Sequence, residues 1–248
     1  MAHAIKKIRT IPALFENDDC LVFNKPAGLP VQGGEKAAVS LDSMLGAAWS
    51  PKPLLVHRLD RDTSGIILVA KHREAAARFS ALFSRKGEAG AGGIVKQYLA
   101  VCAGRPCPDA GSIRLDLEIR GAVKKSETRY RRISGLCLAV EDGEGCAFSL
   151  VELELGTGRM HQIRRHLAGI GHPVLGDDKY GDFALNKTLR KALGLRRLLL
   201  HASRLVISGD LAAQAGFSLD ISAPLPDYFG PFTTQLSVAS GQLPVAGS

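Results

Sequence analysis

No apolar run in this chain approaches the roughly 18 residues that a membrane-spanning helix needs. The opening residues, Met1-Ala2-His3-Ala4-Ile5-Lys6-Lys7, lack the apolar core of a secretion signal, so the expectation is a cytoplasmic protein without a membrane segment. Cysteine is sparse. Cys20, Cys102, Cys107, Cys137 and Cys146 are odd in number and contain no Cys-x-x-Cys pair, which fits free thiols in a reducing compartment. Cys102 and Cys107 have no histidine close by to complete a zinc site. His161 and His166 stand five apart rather than the four that would put both on one helical face for a metal. Asp177, Asp178 and Asp182 lack calcium-loop spacing, and a turn around Tyr180-Gly181 is the simpler reading. The glycine-rich piece Gly87-Glu88-Ala89-Gly90-Ala91-Gly92-Gly93 reads as a loop and carries no phosphate-binding fingerprint between a strand and a helix. Neither a metal nor a cofactor is expected.

What is present is an ordinary globular composition, 46% hydrophobic and 23% charged over 248 residues, enough chain for a sizeable core. No repeat or low-complexity linker divides it, so the reading is one domain over 11–235, with a short extension before it and a Gly/Ala/Ser-rich tail at 236–248 that is expected to fray. The net charge of +8 points to a polyanionic partner. Arginines cluster at Arg129, Arg131 and Arg132, at Arg159, Arg164 and Arg165, and at Arg190, Arg196 and Arg197. Such clusters supply the salt-dependent part of RNA binding, although a solvated surface explains the last of them equally well.

Ala13-Leu14-Phe15 and Cys20-Leu21-Val22-Phe23 read as strands around the turn Glu16-Asn17-Asp18-Asp19. Ala76, Phe79, Leu82 and Phe83 share a face and predict a helix over 73–86; Met160, Ile163 and Leu167 predict another over 159–169. Residues 94–101 read as a strand. Val151, Leu153 and Leu155 alternate with Glu152 and Glu154, as Phe217, Leu219 and Ile221 do with their polar neighbours. Strands outnumber helices and lie too close together for regular βαβ units, which predicts an α+β domain on a largely antiparallel sheet.

One segment carries chemistry. His57-Arg58-Leu59-Asp60-Arg61-Asp62-Thr63-Ser64-Gly65 sets the Asp60 carboxylate among two arginines and a histidine, ahead of the apolar Ile66-Ile67-Leu68-Val69-Ala70. Nearby positive charge favours a carboxylate's ionised form, which suits a nucleophile or electrostatic stabiliser better than a proton donor. If the segment is extended, Arg58 and Asp60 share a side.

That run, followed by Ala70-Lys71, resembles the active-site motif of the RluA family of RNA pseudouridine synthases. The resemblance continues in family order through Lys96-Gln97-Tyr98-Leu99-Ala100, Gly156-Thr157-Gly158-Arg159-Met160-His161-Gln162-Ile163-Arg164-Arg165-His166-Leu167, Gly171-His172-Pro173-Val174-Leu175-Gly176-Asp177, Tyr180-Gly181 and Leu200-His201-Ala202. Asn24-Lys25-Pro26-Ala27-Gly28 is similar to the family's opening, so the likeness spans about residues 11–225.

The resemblance implies the pseudouridine synthase fold, a largely antiparallel mixed β-sheet flanked by helices and loops. It implies cofactor-free isomerisation of uridine to pseudouridine in RNA, an isomerase activity. Asp60 would be the catalytic carboxylate, acting on the base or at the sugar C1′. Arg164 would pair with it and Tyr98 would pack on the target base. Arg58 would fill the place of the uridine that leaves the stack. His57, Thr63, Arg159, His161, Arg165 and Leu200 are the further expected RNA contacts. His57 could equally buttress the loop, and His172 and His201 could satisfy internal hydrogen bonds. The likeness starts near the N-terminus, so the S4-like RNA-binding domain that some family members carry is expected to be missing.

Within the family, Val31-Gln32-Gly33-Gly34 and Ser126-Glu127-Thr128-Arg129-Tyr130 resemble the branch acting on large-subunit (23S) ribosomal RNA. Arg164-Arg165-His166, Gly181-Asp182 and 195–205 resemble a transfer-RNA branch almost as well. The expectation is ribosomal RNA, with transfer RNA or a catalytically silent RNA-binding module as alternatives, and a monomer.

Overall fold

The structure, a computed structural model, describes residues 8, 10–33, 39–84, 94–119, 121–140, 143–208 and 210–233. In chain order the elements are β1 (Ala13–Glu16), β2 (Cys20–Lys25), α1 (Leu41–Ala48), β3 (Leu54–Leu55), β4 (Ser64–Ala70), α2 (Arg73–Ser84), β5 (Ile94–Ala103), β6 (Ala110–Ile113), β7 (Leu117–Ile119) and β8 (Ala122–Lys124). Then follow β9 (Thr128–Val140), β10 (Gly143–Leu155), α3 (Gln162–Gly169), α4 (Phe183–Leu193), β11 (Leu200–Ile207), α5 (Asp210–Ala215), β12 (Leu219–Ser222) and α6 (Gly230–Thr233).

The apolar run after Asp60 does not alternate with polar residues because β4 is covered on both faces; every residue in it is buried. Ile67 and Val69 point into one core, with Leu21, Phe23, Tyr98 and Ile163. Ile66, Leu68 and Ala70 point into a second, with Phe79 and Leu82 of α2. The main sheet runs β1-β2-β4-β11-β5-β10-β9-β6, with β12 added to β11 and β3 to β4. Its pairings are antiparallel except that of β4 with β11, where His201 stands opposite Ser64 and Ala202 opposite Gly65. The α+β architecture is therefore as the sequence predicts.

The parallel contact explains the glycine of the Asp60 motif. Gly65 has φ +107°, and a Cβ there would lie 2.2 Å from the Ala202 carbonyl oxygen. Only glycine lets β11 approach this closely.

The expected local elements are present, with differences at their ends. The first helix predicted from periodicity covers Arg73–Ser84, and the rest of that prediction, with the 87–93 loop and the 236–248 tail, lies outside the described residues. The second starts at Gln162, not at 159, because His161 takes a left-handed conformation (φ 53°) that stops the helix there. The preceding turn wraps instead around the buried Gln162 side chain. Its Oε1 accepts from the Arg159 N–H at 3.0 Å and the Thr157 hydroxyl at 2.7 Å, while Nε2 donates to the Glu127 carbonyl at 2.8 Å. Phe217 falls just short of β12 and packs its ring on Phe15, with centroids 6.0 Å apart.

Candidate active site

Asp60 sits in the loop between β3 and β4, and burial alternates along that loop. Arg58 is exposed, Leu59 is 5% exposed in the core, and the Asp60 side chain is 21% exposed. Leu59 pins the segment from below, so Arg58 and Asp60 face out together, as extended backbone dictates.

Opposite the loop stand α3, which supplies Arg164, and the residue before it, His161. Arg164 Nη1 lies 3.7 Å from Asp60 Oδ2, and His161 Nε2 lies 3.8 Å from Asp60 Oδ1. The Arg164 distance is that of an ion pair rather than a tight hydrogen bond, and the His161 ring stands near the carboxylate without bonding it. Arg164 itself is almost fully buried and is held elsewhere. Its Nε and Nη2 donate to the two oxygens of Asp177 at 2.7 Å each, and Nη2 also reaches Asp178 at 3.2 Å. The Asp177 carboxylate further accepts from the backbone N–H groups of Lys179 and Tyr180. Burial works against charge on both partners, but this pairing outweighs it, raising the pKa of Arg164 and lowering that of Asp177. The Tyr180 ring lies under the guanidinium, 5.3 Å from centroid to Cζ, and its hydroxyl meets His161 Nδ1 at 3.1 Å. Burial lowers the His161 pKa, opposed by Asp60 and reinforced by Arg164.

Together these groups surround a cavity of about 440 Å³ lined by Asp60, Arg61, Asp62, His161, Arg164, Asp178 and Lys179. Tyr98 of β5 is packed in the core beneath the site, with Leu59 and Ile163. Burial, together with the neighbouring Asp60 charge, pushes its phenol well above the usual range, so it stays protonated at neutral pH.

Lys25, at the end of β2 and within the stretch similar to the family's opening, is fully buried. Its ammonium donates to the carbonyls of Pro26, Leu29 and Arg61 at 2.9–3.0 Å, tying the N-terminal turn to the residue after Asp60. Burial lowers its pKa to about 7, with Asp62 and Asp60 opposing the shift.

Several expected RNA contacts are not on the surface. Thr63 is 2% exposed and Leu200 3%, the latter in the core with Tyr98; neither offers a face to RNA. His57 turns inward: Nε2 accepts the Leu68 N–H at 2.9 Å, and its ring stacks on Phe83 with centroids 4.2 Å apart. Burial pushes its pKa down to about 3, so the ring is a neutral buttress. Arg165 donates to the Glu118 carbonyl at 3.1 Å and so braces the β7–β8 hairpin. His166 is buried against Ser126, 2.8 Å away. Arg159 is half-buried and does not line the Asp60 cavity. His172 and His201 do serve internal bonds, to the Ala103 carbonyl and to Ser64. Asp182 caps α4 through the Leu185 N–H.

Comparisons of this fold and sequence with known proteins converge on one family. A solved human structure, RNA Pseudouridylate Synthase Domain Containing 4, superposes with a TM-score of 0.72 at 25% identity, covering 95% of both chains. Ribosomal large subunit pseudouridine synthase C of Rickettsia felis (strain ATCC VR-1525 / URRWXCal2) is 34% identical over 235 residues, 90% of this chain and 70% of its own. The protein of the same name from Escherichia coli (strain K12) is 38% identical over 207 residues, 77% of this chain and 60% of its own. The RNA pseudouridylate synthase family model matches residues 19–169, and the chain belongs to that family.

Proposed function

We propose that this chain isomerises uridine in large-subunit ribosomal RNA, with Asp60 as the catalytic carboxylate. The observation that carries the assignment is the Asp60 side chain, open to a cavity yet set 3.7 Å from a guanidinium fixed by Asp177. The names of the Rickettsia and Escherichia relatives support the ribosomal target.

The reaction breaks the N1–C1′ bond, turns the uracil and joins C5 to C1′; the C5 proton is lost and N1 regains one. Arg164 aims Asp60 at the nucleoside and balances its charge, and His161 flanks it. Tyr98, protonated and packed below the site, supports the base as an aromatic floor rather than removing the C5 proton. The cavity walls hold detached uracil until it rebonds. Arg58, outward beside Asp60, takes the place of the extruded uridine, because a guanidinium plane stacks between bases. Residues 11–235 act as one catalytic domain, and a single chain supplies every group of the site.

Incubating the protein with unmodified large-subunit ribosomal RNA and with transfer RNA, each tritiated at uridine C5, tests the assignment. Tritium release from the ribosomal RNA is expected. Release from transfer RNA alone would move the substrate to the other branch.

A further inference from the structure

Next to the Asp60 cavity lies a larger one of about 650 Å³, within the size range of about 300–1,000 Å³ typical of ligand sites. The two cavities share Arg61, Asp62 and Asp178 in their walls, so one opens beside the other. Its far wall is α4 and the loop after it, which contribute Phe183, Lys187, Arg190, Arg196 and Arg197.

The charge of this wall is not spent within the fold. The acids that line the cavity are already committed: Asp62 to Arg61 at 3.2 Å, and Asp177 and Asp178 to Arg164. Arg197 donates to the Ala27 carbonyl at 3.3 Å. Lys187, Arg190 and Arg196 are exposed and make no hydrogen bond or ion pair to any described residue. Phe183, 63% exposed, is the most exposed aromatic ring among the described residues, at the rim of the same cavity. An accessible aromatic face beside unpaired cations, in a groove continuous with a nucleoside site, has the makeup of a single-stranded nucleic-acid track.

We propose that this cavity is a subsite for the unpaired nucleotides flanking the target uridine, with a base stacked on Phe183 and phosphates held by Lys187, Arg190 and Arg196. The subsite rests on the reading of Asp60 as the centre of an RNA-modifying site. It assigns to RNA the third arginine cluster, which in the sequence could equally be solvated surface. An acidic polypeptide would answer to the same cations but has no use for the ring.

The test is direct binding of an unstructured 12-nucleotide RNA containing uridine, over a range of salt concentrations. Asp60→Asn serves as the background, so that turnover does not intervene. Arg190→Glu with Arg196→Glu is expected to weaken binding by at least about tenfold, and to flatten the log–log salt slope by about 1.4, at about 0.7 per phosphate contact on single strands. Phe183→Ala is expected to weaken binding about tenfold with the slope unchanged. All three residues are on the surface, and an unaltered melting temperature verifies that the variants are folded. Wild-type affinity in both variants, with tritium release intact in the unmutated enzyme, overturns the subsite and leaves the enzyme assignment standing. Weakened binding in an enzyme that releases no tritium shows a nucleic-acid groove but overturns the Asp60 assignment, and with it the placing of that groove beside a target uridine. Equal affinity for poly-glutamate, with no effect of Phe183→Ala, also overturns the RNA subsite.

Discussion

Arg164 faces Asp60 at 3.7 Å because Asp177, thirteen residues further along the chain, grips the same guanidinium from the other side with two 2.7 Å bonds. The clamp fixes a long side chain that would otherwise sample many rotamers, and it sets where the positive charge stands relative to Asp60. Asp177 needs no contact with RNA to matter.

Asp177→Asn is therefore expected to lower activity by about 10- to 100-fold and stability by about 3 kcal/mol, since it breaks a buried pair from one side. Urea denaturation alongside tritium release measures both. The folded protein lowers the Asp177 pKa, so its contribution is present above the unfolded value near 3.8 and is lost as pH falls through the folded value. The variant should lack that part of the acid dependence. A variant with normal activity would show that Arg164 needs no clamp.

Lys25 predicts a dependence of the same sign at alkaline pH. Its pKa falls from 10.5 when unfolded to about 7 when folded, so between these values the unfolded chain binds more protons. This group makes stability rise with pH from about 7 to 10.5, by on the order of 3 kcal/mol. Denaturation of the wild type and Lys25→Met at pH 7 and pH 10 checks the sign, and the variant should lose the rise. Its activity should also fall about tenfold, because the Arg61 carbonyl beside Asp60 loses its ammonium partner.

Arg58→Ala is expected to lose more activity on folded ribosomal RNA than on an unstructured oligonucleotide carrying the same uridine. An unstacked base leaves no gap for Arg58 to fill, so the loss there should be near twofold, against about tenfold or more on the folded RNA. Equal losses would remove Arg58 from that role.

These residues also show what the sequence could convey. The alternation that turns Arg58 and Asp60 outward and the α2 stripe follow from local periodicity, which the core respects. The link from Arg164 to Asp60 came from family resemblance, and the grip of Asp177 was not legible at all. An aspartate in a turn looks the same whether it caps backbone or holds an arginine from another element. Thr63 and Leu200 misled for a related reason, and of the two readings of His57 the structure shows the buttress: a loop presenting one carboxylate must be tied down by its neighbours, and motif residues beside a reacting group can face inward to do so. The burial of Lys25 had no local signal either, because lysine is almost never fully buried.

Asp60→Asn bears most directly on the account. Tritium release from C5-labelled large-subunit ribosomal RNA should fall by at least about a thousandfold, while affinity for the same RNA stays within about twofold, because the positive face is untouched. Undiminished release would contradict the assignment of Asp60 as the catalytic carboxylate.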